Sequence, residues 1–181
     1  MALDERCRGP ESYRALLARL WGLYAPLESA LARIDWQGVE VDFPERLKLG
    51  WLEADLVFLG LDLAVIAQLP RASTLPRLTD RLGAMGMLYV MEGASLGGQI
   101  ISRRLTADLG VTADRGGRFF SSYGRQVGQR WRDYLLALER FADDPAASAR
   151  IEDSALATFE SFLSWFAAGP RPVEIAMGAW S

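Results

Sequence analysis

An all-α, single-domain bundle is the fold this chain predicts, on three observations. Over most of its 181 residues, apolar side chains recur at steps of three and four, the spacing of one helical face. Between those stretches stand Asp, Pro and Gly, the residues that start and stop helices. No stretch of useful length alternates apolar with polar; 37–41 and 173–176 are weak strand candidates.

The elements follow in order. Tyr13, Leu16, Leu17, Leu20, Leu23, Tyr24, Leu27 and Leu31 form one face of a helix over 12–34, started by Glu11 or Ser12 after the breaker pair Gly9-Pro10. Pro26 inside it predicts a kink or a fresh helix start. Residues 35–43 read as a connector. Asp42 as a cap and Pro44 in the first turn open a second helix, with Leu47, Trp51, Leu52, Leu56, Leu59, Leu63 and Ile66 on its apolar face, until Pro70 stops it. After a polar link at 71–74, a long helix runs over 76–109 and ends at Gly110, suited to the left-handed closing position. A glycine-bearing loop over 110–121 precedes a helix from Ser122 or Tyr123 to Phe141, with Val127, Trp131, Tyr134, Leu135 and Leu138 inward. Asp143-Asp144-Pro145 restarts the chain as a last helix bearing Ile151, Leu156, Phe159, Phe162, Leu163 and Phe166, up to Gly169-Pro170. The expected organisation is a tail over 1–12, a helical domain over 13–169 and an irregular tail over 170–181.

Composition narrows the chemistry. Half the residues are hydrophobic, a quarter are charged and the net charge is −3, which gives no basic face for nucleic acid. The chain has one cysteine and no histidine. No Ser-His-Asp triad, Cys-His dyad, His-based metal site or iron–sulfur cluster can be built from it. Acids, Lys, Arg and Tyr remain for proton transfer. The polar N-terminus and the short apolar runs predict a cytoplasmic protein with no membrane partner.

The helix over 76–109 departs from ordinary core. It holds Gly83, Gly86, Gly93, Gly97 and Gly98, each about 1 kcal/mol less favourable in a helix than alanine. Gly93 and Gly97, four apart, share a face. Either two helix backbones approach closely there, or a flat ligand lies on bare backbone. The segment Tyr89-Val90-Met91-Glu92-Gly93-Ala94-Ser95-Leu96-Gly97-Gly98-Gln99 strongly resembles the distal helix of the heme oxygenases, most closely the bacterial branch that accompanies bacteriophytochromes. Tyr13-Arg14-Ala15-Leu16-Leu17 with Tyr24-Ala25-Pro26-Leu27-Glu28 resembles the family's second helix, and Phe119-Phe120-Ser121-Ser122-Tyr123-Gly124 the segment leading to the heme propionates.

The resemblance implies a heme oxygenase-like bundle with a heme or tetrapyrrole cleft. The family's reaction is that of an oxidoreductase, opening heme to biliverdin with release of carbon monoxide and iron on electrons from a reductase. It implies heme contact at Gly93, Ala94, Ser95, Gly97 and Gly98, propionate partners at Arg125 and Arg132, and Tyr123 near the ring edge. Heme or biliverdin, and an electron-donating reductase, are the implied partners.

Two departures bear on chemistry. The family binds iron through a histidine on its first helix, and here the likeness begins at the second. The first helix is therefore expected to be missing, through a truncated gene product, a mis-assigned start or a protein that dispensed with the ligand. Cys7 or a tyrosine would be the remaining ligand types. In many relatives an aspartate follows the first distal glycine, where this chain has Ala94. Turnover is therefore expected to be impaired or absent. The alternatives are a non-catalytic interaction protein and an active enzyme whose N-terminus lies upstream. A missing helix would bare apolar faces near 16–31 and 123–138, inviting a homodimer or another protein partner. Glu92 is expected to act as a structural acid between helices, and the tryptophans to pack the bundle.

Overall fold

A computed structural model describes residues 9–169, and within them the chain is helical with no strand. Seven α-helices follow in order: α1 Pro10–Leu31, α2 Leu49–Phe58, α3 Leu63–Ile66, α4 Arg81–Leu109, α5 Arg118–Ser121, α6 Val127–Glu139 and α7 Pro145–Ala167. The tail 170–181, with the strand candidate 173–176, and Cys7 lie outside the described residues.

Helix α1 begins at Pro10, three residues before its first apolar side chain, Tyr13, because Ser12 closes the start. Its hydroxyl accepts the Gly9 N–H at 3.0 Å and donates to the Gly9 carbonyl at 2.8 Å. Pro26 neither ends nor divides the helix. Its face is buried nearly throughout, with Tyr13, Leu17, Leu23, Leu27 and Leu31 fully enclosed. The chain beyond α3 crosses it at Gly22, whose carbonyl accepts the Ala72 N–H at 2.9 Å. A Cβ at Gly22 would stand 2.2 Å from the Pro70 carbonyl oxygen, so only glycine admits this crossing.

The single helix expected up to Leu69 is in fact three pieces. A 3-10 turn spans Pro44–Arg46, then α2 closes at Leu59, and Gly60 turns the chain at φ +87 before Asp62 caps α3. Breaking the helix re-aims its apolar face, so Leu47 and Leu63 end up exposed. The long helix starts at Arg81 rather than at Pro76. Asp80 caps it by accepting the Gly83 N–H at 2.8 Å, and Gly110 closes it at φ +66. The expected loop over 110–121 carries the short α5, capped from a distance: Asp55 of α2 accepts the Arg118 and Phe119 N–H groups at 2.8 Å each. A buried carboxylate thus replaces a local cap, a long-range relation that spacing does not reveal. Its burial pushes the Asp55 carboxyl up to about 6, against the lowering effect of those two bonds.

Helices α4 and α7 run side by side in the same direction. Asp80 meets Arg150, the Gly83 carbonyl accepts from the Ser154 hydroxyl at 2.6 Å, and Gly86 abuts Ile151 and Ala155. A Cβ at Gly86 would lie 2.1 Å from the Ile151 carbonyl oxygen. Close backbone packing is therefore the role of Gly86, whereas Gly83 lies against the Arg150 side chain. Further along, the aromatic residues of α7 stand between the two helices and a cavity opens in the fork.

Candidate functional site

The fork holds a cavity of about 740 Å³. Ala94, Ser95, Gly98 and Ile101 of α4 form one wall, and Phe159, Phe162, Leu163, Phe166 and Ala167 of α7 the facing one. Leu16, Leu20 and Tyr24 of α1 and Phe119 and Phe120 of α5 complete the apolar lining, with Lys48 as its charged member. The aromatic rings brace each other: Tyr24 meets Phe119 edge-on at 5.1 Å and Phe162 at 6.1 Å. The rim is clasped by a reciprocal pair between the first and last helices. Arg19 donates to the Trp165 carbonyl at 2.5 Å, and the Trp165 indole N–H donates to the Arg19 carbonyl at 2.9 Å.

Of the distal-helix residues singled out from the sequence, Ala94, Ser95 and Gly98 face the cavity. Gly93 and Gly97 share a different face. A Cβ at Gly93 would touch the Trp131 ring at 3.6 Å, and one at Gly97 would meet nothing within 4 Å. At Gly98 the lack of a side chain admits α5, since a Cβ there would come within 3.1 Å of the Phe120 carbonyl oxygen.

Arg125 and Arg132 are exposed and not in the lining; Arg132 donates instead to Gln129 at 2.8 Å, one turn back on its own helix. Tyr123 sits behind the cavity wall, where its hydroxyl donates to Glu92 at 2.8 Å. It borders a separate, more polar hollow of about 380 Å³ with Arg118 and Arg130. Sequence reasoning passed over the α7 phenylalanines as core, and over Lys48 entirely. Five phenylalanines, at 119 and 120 on α5 and at 159, 162 and 166 on α7, were the available signal.

Behind Lys48 lies a buried charge cluster. Glu92 receives Arg46 at 2.5 Å and Lys48 at short range, besides Tyr123. Lys48 also reaches the Arg46 carbonyl at 3.3 Å. Glu28 accepts the Lys48 and Leu49 N–H groups at 2.7 and 3.1 Å, which caps α2 from α1. Glu92 is thus a structural acid tying α4 to the 44–49 segment and to Tyr123. Burial lowers the Lys48 ammonium below its usual range, opposed by Glu92. Burial, with Glu28 and Glu92 nearby, raises the Tyr24 phenol above its own, so it stays neutral.

These residues suit a tetrapyrrole ring and do not suit its iron. The volume and the phenylalanine-rich walls match a broad, flat, apolar disc. No histidine exists in the chain to supply an imidazole. Tyr24 is a neutral phenol, Lys48 is an ammonium held by Glu92, and the α4 methionines Met85, Met87 and Met91 are buried in the core outside the lining. Among the described residues, no cluster of three acidic or Cys side chains could hold a metal ion, and no helix is long and apolar enough to cross a membrane.

The heme oxygenase family profile matches residues 6–168 of this chain. A heme oxygenase from Xanthomonas campestris pv. campestris (strain 8004) is 31% identical over 163 residues, covering 90% of this chain and 93% of its own length. No solved structure matches.

Proposed function

Because the chain belongs to the heme oxygenase family, we propose that the cavity in the α4–α7 fork receives a tetrapyrrole, heme or biliverdin, and that heme is turned over slowly or not at all. The observation that carries this reading is the large apolar cavity bordered by Ala94, Ser95 and Gly98, the same short stretch that resembles the family's distal helix.

The chain's own residues perform the following parts. Phe119, Phe120 and Phe162 offer aromatic surface to the ring, and burial of that surface supplies the binding free energy. Ala94 and Gly98 keep the α4 wall low enough for the ring to approach the backbone. Lys48 fixes a positive charge at the cavity wall, oriented by Glu92. When bound, heme supplies the iron at which the family's oxidation of the ring occurs, and an axial protein ligand largely sets that iron's behaviour. No lining side chain is suited to that office here, which is the reason turnover is expected to be impaired.

A hemin titration followed by Soret absorbance, then ascorbate in air, tests the reading. A saturable one-to-one band that persists for hours is the expected result. Decay of the band into a biliverdin spectrum would overturn the impairment, and no saturable band would overturn the cavity assignment.

A second reading, a protein-interaction role, is favoured by one observation. Leu156, Phe159 and Leu163 leave an exposed apolar edge on α7 beside the cavity. Co-purification of a stoichiometric partner, lost on placing a charge at Leu163, would support it.

A further inference from the structure

We propose that this cavity recognises the tetrapyrrole ring through its faces and not through its metal, so that metal-free tetrapyrroles are ligands on a par with heme. The inference rests on the tetrapyrrole reading of the cavity and adds the class of ligand.

Three polar side chains reach the lining: Tyr24, Lys48 and Ser95. The Lys48 Nζ is engaged by Glu92 and by the Arg46 carbonyl, and so is not directed at a ring centre. Tyrosine ligates heme iron as the phenolate, a form that burial and the nearby Glu28 and Glu92 disfavour at Tyr24, and the neutral Ser95 alcohol is a poor ligand beside imidazole or thiolate. The chain has no histidine, and its methionines on α4 face the core. No strong coordinate bond from the cavity wall is therefore available to favour a metallated ring over an empty one. What remains is contact of the ring faces with phenylalanine and aliphatic side chains. That contribution scales with the area buried, which is the same for both rings. An axial ligand would also fix the ring's position, whereas an apolar slot tolerates a ring whose centre is unoccupied.

Separate titrations with hemin, by difference absorbance, and with protoporphyrin IX, by porphyrin fluorescence, test this, followed by direct competition between the two. The expected dissociation constants lie within about threefold of one another. Hemin binding about tenfold or more tighter than protoporphyrin IX would overturn the proposal, and would direct attention to Cys7. Two variants tie both titrations to the cavity: Ala94→Phe, at an exposed position on the α4 wall, and Leu163→Glu on the α7 wall. Each is expected to weaken both ligands by a similar factor, with the melting curve reporting the fold. Binding of both ligands unaffected by either variant would place it elsewhere and overturn the proposal. Failure of both ligands to bind would instead overturn the tetrapyrrole reading itself, a result distinct from a metal preference.

Discussion

Glu92 shows how much a single buried acid can decide. Two cations and a phenol converge on it, and its side chain is 1% exposed. Removing one partner of such a cluster leaves uncompensated charge in the interior, which costs roughly 3–5 kcal/mol. Glu92→Ala is expected to lower the stability from urea unfolding by about that much, whereas Glu92→Gln, which still accepts hydrogen bonds, should lose less. Asp55 sets a pH dependence. Its folded pKa of about 6 lies above its ordinary value of 3.8. The folded state thus binds more protons than the unfolded one between those values, and this group's contribution to stability falls as pH rises from 3.8 to about 6. Burial likewise raises Glu28, so both groups tilt the wild-type curve the same way. Subtracting the Asp55→Asn stability curve from the wild-type curve isolates Asp55; a difference that is flat from pH 4 to 7 would contradict the assignment. Glu92 was legible in the sequence as a structural acid between helices. Its partners were not, because Arg46 and Lys48 lie over forty positions away.

At the scale of elements, the glycines of α4 divide into three kinds. Gly86 has no room for a methyl group, being against the α7 backbone, while Gly97 has open space. Gly98 lies between, with a neighbouring carbonyl at 3.1 Å. Alanine improves helix propensity by about 1 kcal/mol at any of them, so the sign of the substitution reports the contact. Gly97→Ala is expected to raise the melting temperature, and Gly86→Ala to lower it and to weaken ligand binding by spreading the fork. Thermal melts of the two variants check this, and a stabilised Gly86→Ala would refute the close packing. Composition announced that this helix was unusual. It could not say which glycine served packing and which bordered the cavity, because that depends on how α7 lies against α4. The break between α2 and α3 was illegible for a related reason. Leu56, Leu59, Leu63 and Ile66 continue the helical spacing straight across Gly60.

The whole molecule leaves much of its apolar excess on α7, where the sequence did not place it. Bare faces were expected on the helices near 16–31 and 123–138. Leu16, Leu17, Leu27 and Tyr134 are in fact buried, by α2, α5 and the 70–72 crossing on one side and by contact with α4 on the other. The exposed side chains include Leu156, Phe159 and Leu163 on α7, at 63%, 49% and 71%, with Ile100 on α4, Phe58 and Leu63 near the α2–α3 break and, within the 123–138 stretch, Leu136. Periodicity assigned those α7 residues inward because their spacing is that of a buried stripe, and a stripe facing an open cavity has the same spacing. Leu163→Glu is expected to reduce binding of a hydrophobic dye and any concentration-dependent association. Because Leu163 is already solvated, its cost in stability should stay within about 0.5 kcal/mol. Unchanged dye fluorescence together with unchanged sedimentation would refute a sticky α7 edge. The helical class, the order of most elements and the family were legible throughout, since each rests on local patterns; the cavity required α1, α4 and α7, far apart in the sequence, to be brought together.

The clasp between Arg19 and Trp165 spans 146 positions, and the cavity has walls from both sides of that interval. During synthesis the chain emerges from its N-terminus and folds as it appears. Leu16, Leu20 and Tyr24 would lack their α7 neighbours until the final helix is made. The cavity thus comes into being only as translation finishes, and a nascent chain stalled anywhere before α7 lacks its facing wall. Under the proposed function, a chain that binds tetrapyrrole is one whose last helix has been made.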